Sequence, residues 1–149
     1  MLKRKIEKYL IQWKASEGKK PLVIKGIRQC GKTYIVQKFA KEHYESVVYM
    51  NFILEPDRKS AFTGNLDTIT LNLTALIPGS RFITGKTCII LDEIQECKEA
   101  RTALKSFHLD GRFDVIATGS LLGVKGYGKS SKHSEEEGEK RDSVPVEYE

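Results

Sequence analysis

The sequence predicts an α/β fold, a mostly parallel sheet with helices on both faces, and three observations carry that prediction. Short apolar runs alternate with longer stretches whose apolar residues recur every three or four positions. The first run leads through the octapeptide Gly26-Ile27-Arg28-Gln29-Cys30-Gly31-Lys32-Thr33 into one of those helical stretches. Two later runs end abruptly in polar residues, Asp92-Glu93 and Thr118-Gly119-Ser120. Strands separated by helices favour parallel pairing, because the crossover helices must cover the sheet.

Each element has its own reason. Residues 2–15 place Leu2, Ile6, Tyr9, Leu10 and Trp13 on one helical stripe with lysines opposite, and Ser16-Glu17-Gly18 ends the helix. Residues 21–25 are a short apolar, β-branched run, and residues 34–44 carry Val36, Phe39 and Ala40 at helical spacing. Residues 46–52 form a second strand, and Pro56-Asp57 starts a short helix ending near Phe62. The stripe Leu66, Ile69, Leu73, Leu76, Ile77 predicts a helix that Pro78-Gly79 breaks. Residues 87–91 form a buried strand, residues 97–107 a helix with Ala100, Leu104 and Phe107 inward, and residues 113–117 a fourth strand. Residues 125–143, rich in Gly, Ser and charge, predict a mobile polar loop, and residues 144–149 the start of a final strand.

Composition narrows the class. The chain is 40% hydrophobic and 30% charged, ordinary values for a globular protein. No apolar stretch approaches the roughly 18 residues of a membrane span, and no apolar segment of a secretory signal follows Met1-Leu2-Lys3-Arg4-Lys5. Cys30, Cys88 and Cys97 have neither zinc-ligand nor paired spacing, so they read as reduced thiols of a cytoplasmic protein. Residues 1–41 hold twelve Lys or Arg against two Glu, a balance of +10. Such a half can attract nucleic acid, but no nucleic-acid-reading motif accompanies it; the alternative is a solvated surface around a polyanion site.

The octapeptide states its chemistry. Gly26 and Gly31 let successive N–H groups of residues 26–34, through Tyr34, curl around phosphate oxygens. Lys32 reaches the β- and γ-phosphates and the Thr33 hydroxyl is a ligand for Mg²⁺. Arg28 either leans on phosphate or pins the loop from outside, and Cys30, beside a helix N-terminus, is either a thiol open to oxidation or, the simpler reading, a small packing residue. Asp92, at the end of an apolar strand, is placed to hold the cation with Thr33. Glu93 can polarise a water for attack on the γ-phosphate, and Ser120, with Thr118 close by, can hydrogen-bond that phosphate or the water. In parallel sheets the ligand lies beyond the carboxyl ends of the strands, where all three clusters fall.

Together the stretch WKASEGKKPLVIKGIRQCGKTYIVQKFA with its loop GIRQCGKT, then VVYMNF, CIILDEIQEC and FDVIATGSLLG, resemble a prokaryotic AAA-type P-loop ATPase family, over residues 1–124 and weakly again in SVPVEYE. The resemblance implies a three-layer P-loop NTPase core, ATP with Mg²⁺, and functional roles for Gly26, Gly31, Lys32, Thr33, Asp92, Glu93 and Ser120. It also implies a last core strand and helical lid that are incomplete here, so a lid or effector domain could be missing or separate. Arg141 is the candidate for a remnant arginine finger. Three functions follow as expectations: an ATPase core, a truncated nucleotide-binding or interaction module with negligible hydrolysis, and a small-molecule kinase on the same loop. The sequence leaves the oligomeric state open.

Overall fold

A computed structural model describes residues 2–26, 31–120 and 145–147. Helix α1 spans Leu2–Ala15, strand β1 Leu22–Gly26, helix α2 Lys32–His43 and strand β2 Ser46–Asn51. A 3-10 turn over Pro56–Ala61 leads to α3 (Leu66–Leu76), then β3 (Thr87–Asp92), a second 3-10 turn (Ile94–Glu96), α4 (Lys98–Asp110), β4 (Asp114–Ser120) and β5 (Pro145–Glu147). The sheet order is β2-β3-β4-β1-β5. The first four strands are parallel throughout, and β5 runs antiparallel beside β1, Val23 facing Val146. The fold is the predicted α/β class.

Alternation along the strands sorts the core into two halves. Cys88 and Ile90 of β3, Ile116 of β4, and Leu22 and Ile24 of β1 pack with Ile6, Leu10, Trp13, Ile35, Val36 and Phe39 from α1 and α2. Ile89 and Leu91, with Val48, Met50, Val115 and Ala117, pack with α3 and α4 on the opposite face. A period of two in each strand therefore feeds two separate helical layers. Every residue of β3 is buried, as a strand with neighbours on both sides and helices on both faces must be.

Local chemistry sets the ends. The Asn65 side chain accepts from Thr68 N at 2.9 Å and caps α3, and Gly111 ends α4 with φ 75. Helix α2 begins two residues earlier than its apolar pattern, at Lys32, because Gly31 in the left-handed conformation (φ 79) delivers the chain straight into the helix. Trp13 belongs to the core, with its Nε1–H donated to Lys20 O at 2.9 Å. At the N-terminal ends of the strands, Tyr44 donates to Asp114, which Lys19 also approaches at 3.7 Å. Burial and this hydrogen bond push the Tyr44 phenol upward. The predicted polar loop at 125–143 and Arg141 lie outside the described residues.

Candidate nucleotide site

The parallel register builds the site. Asn51 of β2 pairs with Asp92 of β3, and Leu91 of β3 pairs with Ala117 of β4, which brings Asp92 and Thr118 side by side. Gly26 pairs with Ser120, so the end of β1 stands next to the end of β4. Asp92 is in phase with Cys88 and Ile90, and Thr118 with Ile116, so both point to the face that α2 covers. Thr33 is in the first turn of α2 on that face.

Asp92 is the hub. It is 4% exposed and accepts from Thr33 Oγ1 at 3.2 Å, Tyr49 OH at 2.6 Å and Asn51 Nδ2 at 3.4 Å, all on Oδ2. The fully buried Thr118 hydroxyl donates to Oδ1. All four donors are uncharged, so a buried carboxylate is held on hydroxyl and amide dipoles, with Tyr49 and Asn51 placed by β2, Thr33 by α2 and Thr118 by β4. Unpaired burial of such a group would cost several kcal/mol, roughly, without these bonds. Tyr49 is a firm donor, because burial and its bond to Asp92 push its phenol well above the ordinary range.

Glu93 has a different character. Among the described residues it is the one non-glycine with positive φ, at φ 59 and ψ 47, and it is 8% exposed. A left-handed side-chain-bearing residue costs roughly 1–2 kcal/mol. The next residue, Ile94, is 5% exposed in the core beneath α3 and α4, and burying an isoleucine contributes roughly 1.5–3 kcal/mol, enough to hold the turn. Gln95 Nε2 then donates to Glu93 Oε1 at 2.8 Å. Gln95 lies against Gly119: a Cβ on that glycine would stand 2.7 Å from Gln95 Oε1.

Thr33, Asp92 and Thr118 therefore meet in direct contact, while Glu93 is tied to Gln95 one step beyond the strand end. Gly31 caps α2, and Tyr34 is 61% exposed in its first turn. The backbones of Lys32 and Ser120 open α2 and end β4. Ile27, Arg28, Gln29 and Cys30 lie outside the described residues. Tyr49 and Asn51 are members of the site that motif spacing does not single out, and Gln95 and Gly119 fall within the segments CIILDEIQEC and FDVIATGSLLG without a role that spacing assigns. The one signal for Tyr49 and Asn51 is their shared phase in VVYMNF, which becomes informative once β2 is known to neighbour β3.

The donor set is oxygen-rich. Among the described residues no group of three or more His, Cys, Asp or Glu could hold a metal ion. A hydroxyl beside a carboxylate is instead the partial set that Mg²⁺ takes, its other ligands being phosphate and water. A separate cavity of about 170 Å³, lined by Trp13, Lys19, His108 and Asp114 among others, lies toward the opposite strand ends. Among the described residues no helix is long and apolar enough to cross a membrane.

Residues 18–142 match the family described as AAA domain, and the chain belongs to that family, whose members are P-loop ATPases. No curated protein matches the chain. The family carries with it a nucleotide-binding, ATPase-like function.

Proposed function

We propose that this AAA-domain chain binds ATP with Mg²⁺ at residues 26–34 and hydrolyses it to ADP and phosphate. The observation that carries the proposal is the convergence of Thr33, Tyr49 and Thr118 on buried Asp92, directly beside the start of α2. Backbone N–H groups of the loop and the positive end of α2 bind the phosphates, and Lys32 neutralises the β- and γ-oxygens. Thr33 and Asp92 would hold Mg²⁺, which when bound shields the phosphate charge that otherwise repels an incoming water.

Glu93 is the base in this proposal. Its carboxylate accepts a proton from water as the water oxygen attacks the γ-phosphorus and the bond to the β–γ bridging oxygen breaks, with ADP leaving. Gln95 orients that carboxylate. Ser120 hydrogen-bonds the γ-phosphate, whereas the Thr118 hydroxyl is committed to Asp92 and serves by fixing it.

Parallel assays of ATP binding and phosphate release test the assignment. Lys32→Ala should abolish tight binding. Glu93→Gln should keep binding and lower turnover by roughly 10²–10⁴-fold. Wild-type turnover in Glu93→Gln overturns the base assignment, and binding without any phosphate release in the parent chain overturns hydrolysis.

A further inference from the structure

An ionised carboxylate offers about four lone-pair positions to donors. At Asp92 the two on Oδ2 are taken by Thr33 Oγ1 at 3.2 Å and Tyr49 OH at 2.6 Å, with Asn51 Nδ2 as a longer contact at 3.4 Å. Thr118 takes one on Oδ1. Among the described residues one position on Oδ1 is then left for a further donor, which suits a water bound to a cation better than direct coordination at Oδ2. Mg²⁺ gives up its waters reluctantly, so a carboxylate restricted in this way matches its preference.

Of these donors Tyr49 makes the shortest bond to Oδ2, and its backbone is fixed in mid-strand by pairing with Ile90. Its ring lies on the α2 face of the sheet, packed against that half of the core. Unlike Thr33, it has no part in the phosphate loop, and no motif of the sequence requires a phenol there. We propose that Tyr49 is a positioning residue for the divalent cation. By occupying Asp92 Oδ2 it reserves the carboxylate's remaining acceptor capacity for a cation-bound water, and so sets the Mg²⁺ affinity of the nucleotide site. The proposal rests on Asp92 being the cation carboxylate of the function proposed above. Loss of an outer-sphere partner of this kind lowers metal affinity by roughly 10–100-fold.

The test uses the full chain and a fluorescent ATP analogue, titrated with Mg²⁺ and, separately, in EDTA. Tyr49→Phe should raise the Mg²⁺ concentration for half-maximal binding at least about tenfold while leaving the EDTA affinity at the parent value. An unchanged Mg²⁺ requirement overturns the proposal. So does an equal loss with and without the cation, which would mark Tyr49 as a structural residue. A parent chain that binds no nucleotide overturns the functional assignment and this proposal with it; a parent that binds ATP equally well without Mg²⁺ overturns the cation role alone. Should Tyr49→Phe fail to fold, 3-fluorotyrosine placed at position 49 gives a second measurement. Its fluorine resonance should shift when Mg²⁺ joins the nucleotide complex, and a resonance that ignores the cation counts against the proposal.

Discussion

Gly119→Ala is the sharpest probe of how the two strand ends are coupled. The added Cβ would stand 2.7 Å from Gln95 Oε1, well inside the 3.4 Å at which ordinary contact begins. The glycine lies in a strand and has no positive φ, so backbone strain is not the issue. The obstacle is the end of a flexible side chain, and Gln95 can move away. In doing so it surrenders the 2.8 Å bond to Glu93 Oε1. A hydrogen bond to a charged group contributes about 1.5–3 kcal/mol. Alanine recovers about 0.5–1 kcal/mol over glycine in a strand. The net destabilisation is about 1–2 kcal/mol, or a fall in Tm of about 2–8 °C for a domain of this size. Thermal unfolding followed by circular dichroism measures it, on Gly119→Ala, Gln95→Ala and the double variant. The two changes should be strongly non-additive, with the double variant no less stable than Gln95→Ala alone. Strict additivity, or an unchanged Tm in Gly119→Ala, would refute the coupling.

Two further outcomes follow from single positions. Gly31→Ala places a Cβ where nothing lies within 4 Å, so its cost is the left-handed backbone (φ 79) alone; we expect about 1 kcal/mol in chemical denaturation, with weaker nucleotide binding. Burial pushes the Cys88 thiol, and burial with its Asp114 bond the Tyr44 phenol, above their unfolded values. Both groups stay protonated in the fold while the unfolded chain ionises. The contribution of these two groups is therefore fully present below about pH 8.5 and falls above it, by about 1.4 kcal/mol per pH unit for each group once its unfolded pKa is passed. Denaturation at stepped pH reads the slope, and Tyr44→Phe should remove its part above about pH 10; a flat profile to pH 11 would contradict the assignment.

The fold class was legible because each element carries its own period. The apolar stripe of α1 and the uninterrupted run 88–91 leave little choice of helix or strand, and the polar residues after two strands mark one edge of the sheet. Helix α2 started earlier than its stripe because an apolar pattern cannot register a turn made by glycine geometry. The orientation of β5 was equally out of reach, since a short β-branched run has the same alternation in either direction. Within the site, Asp92 and Thr33 could be named from spacing. The engagement of Thr118 with Asp92 could not, because it depends on which strand lies beside β3 and in what register. Tyr49 and Asn51 were invisible for the same reason, as contacts across a parallel sheet have no fixed separation along the chain.

The two adjacent acids at the end of β3 show how one backbone event can divide two chemical tasks. Asp92 is still in the strand, and its phase sends it to the α2 face, where neutral donors from β2, α2 and β4 surround it. Had the strand continued, Glu93 would have alternated to the opposite face, into the apolar layer of Ile89 and Leu91. The left-handed turn at Glu93 prevents that and starts the 3-10 turn, while Ile94 enters that layer in its place. The strain at Glu93 and the burial of Ile94 are thus parts of one device. It keeps a second carboxylate out of the hydrophobic core, bound to Gln95 over the strand end, and one residue away from a carboxylate already committed to four donors.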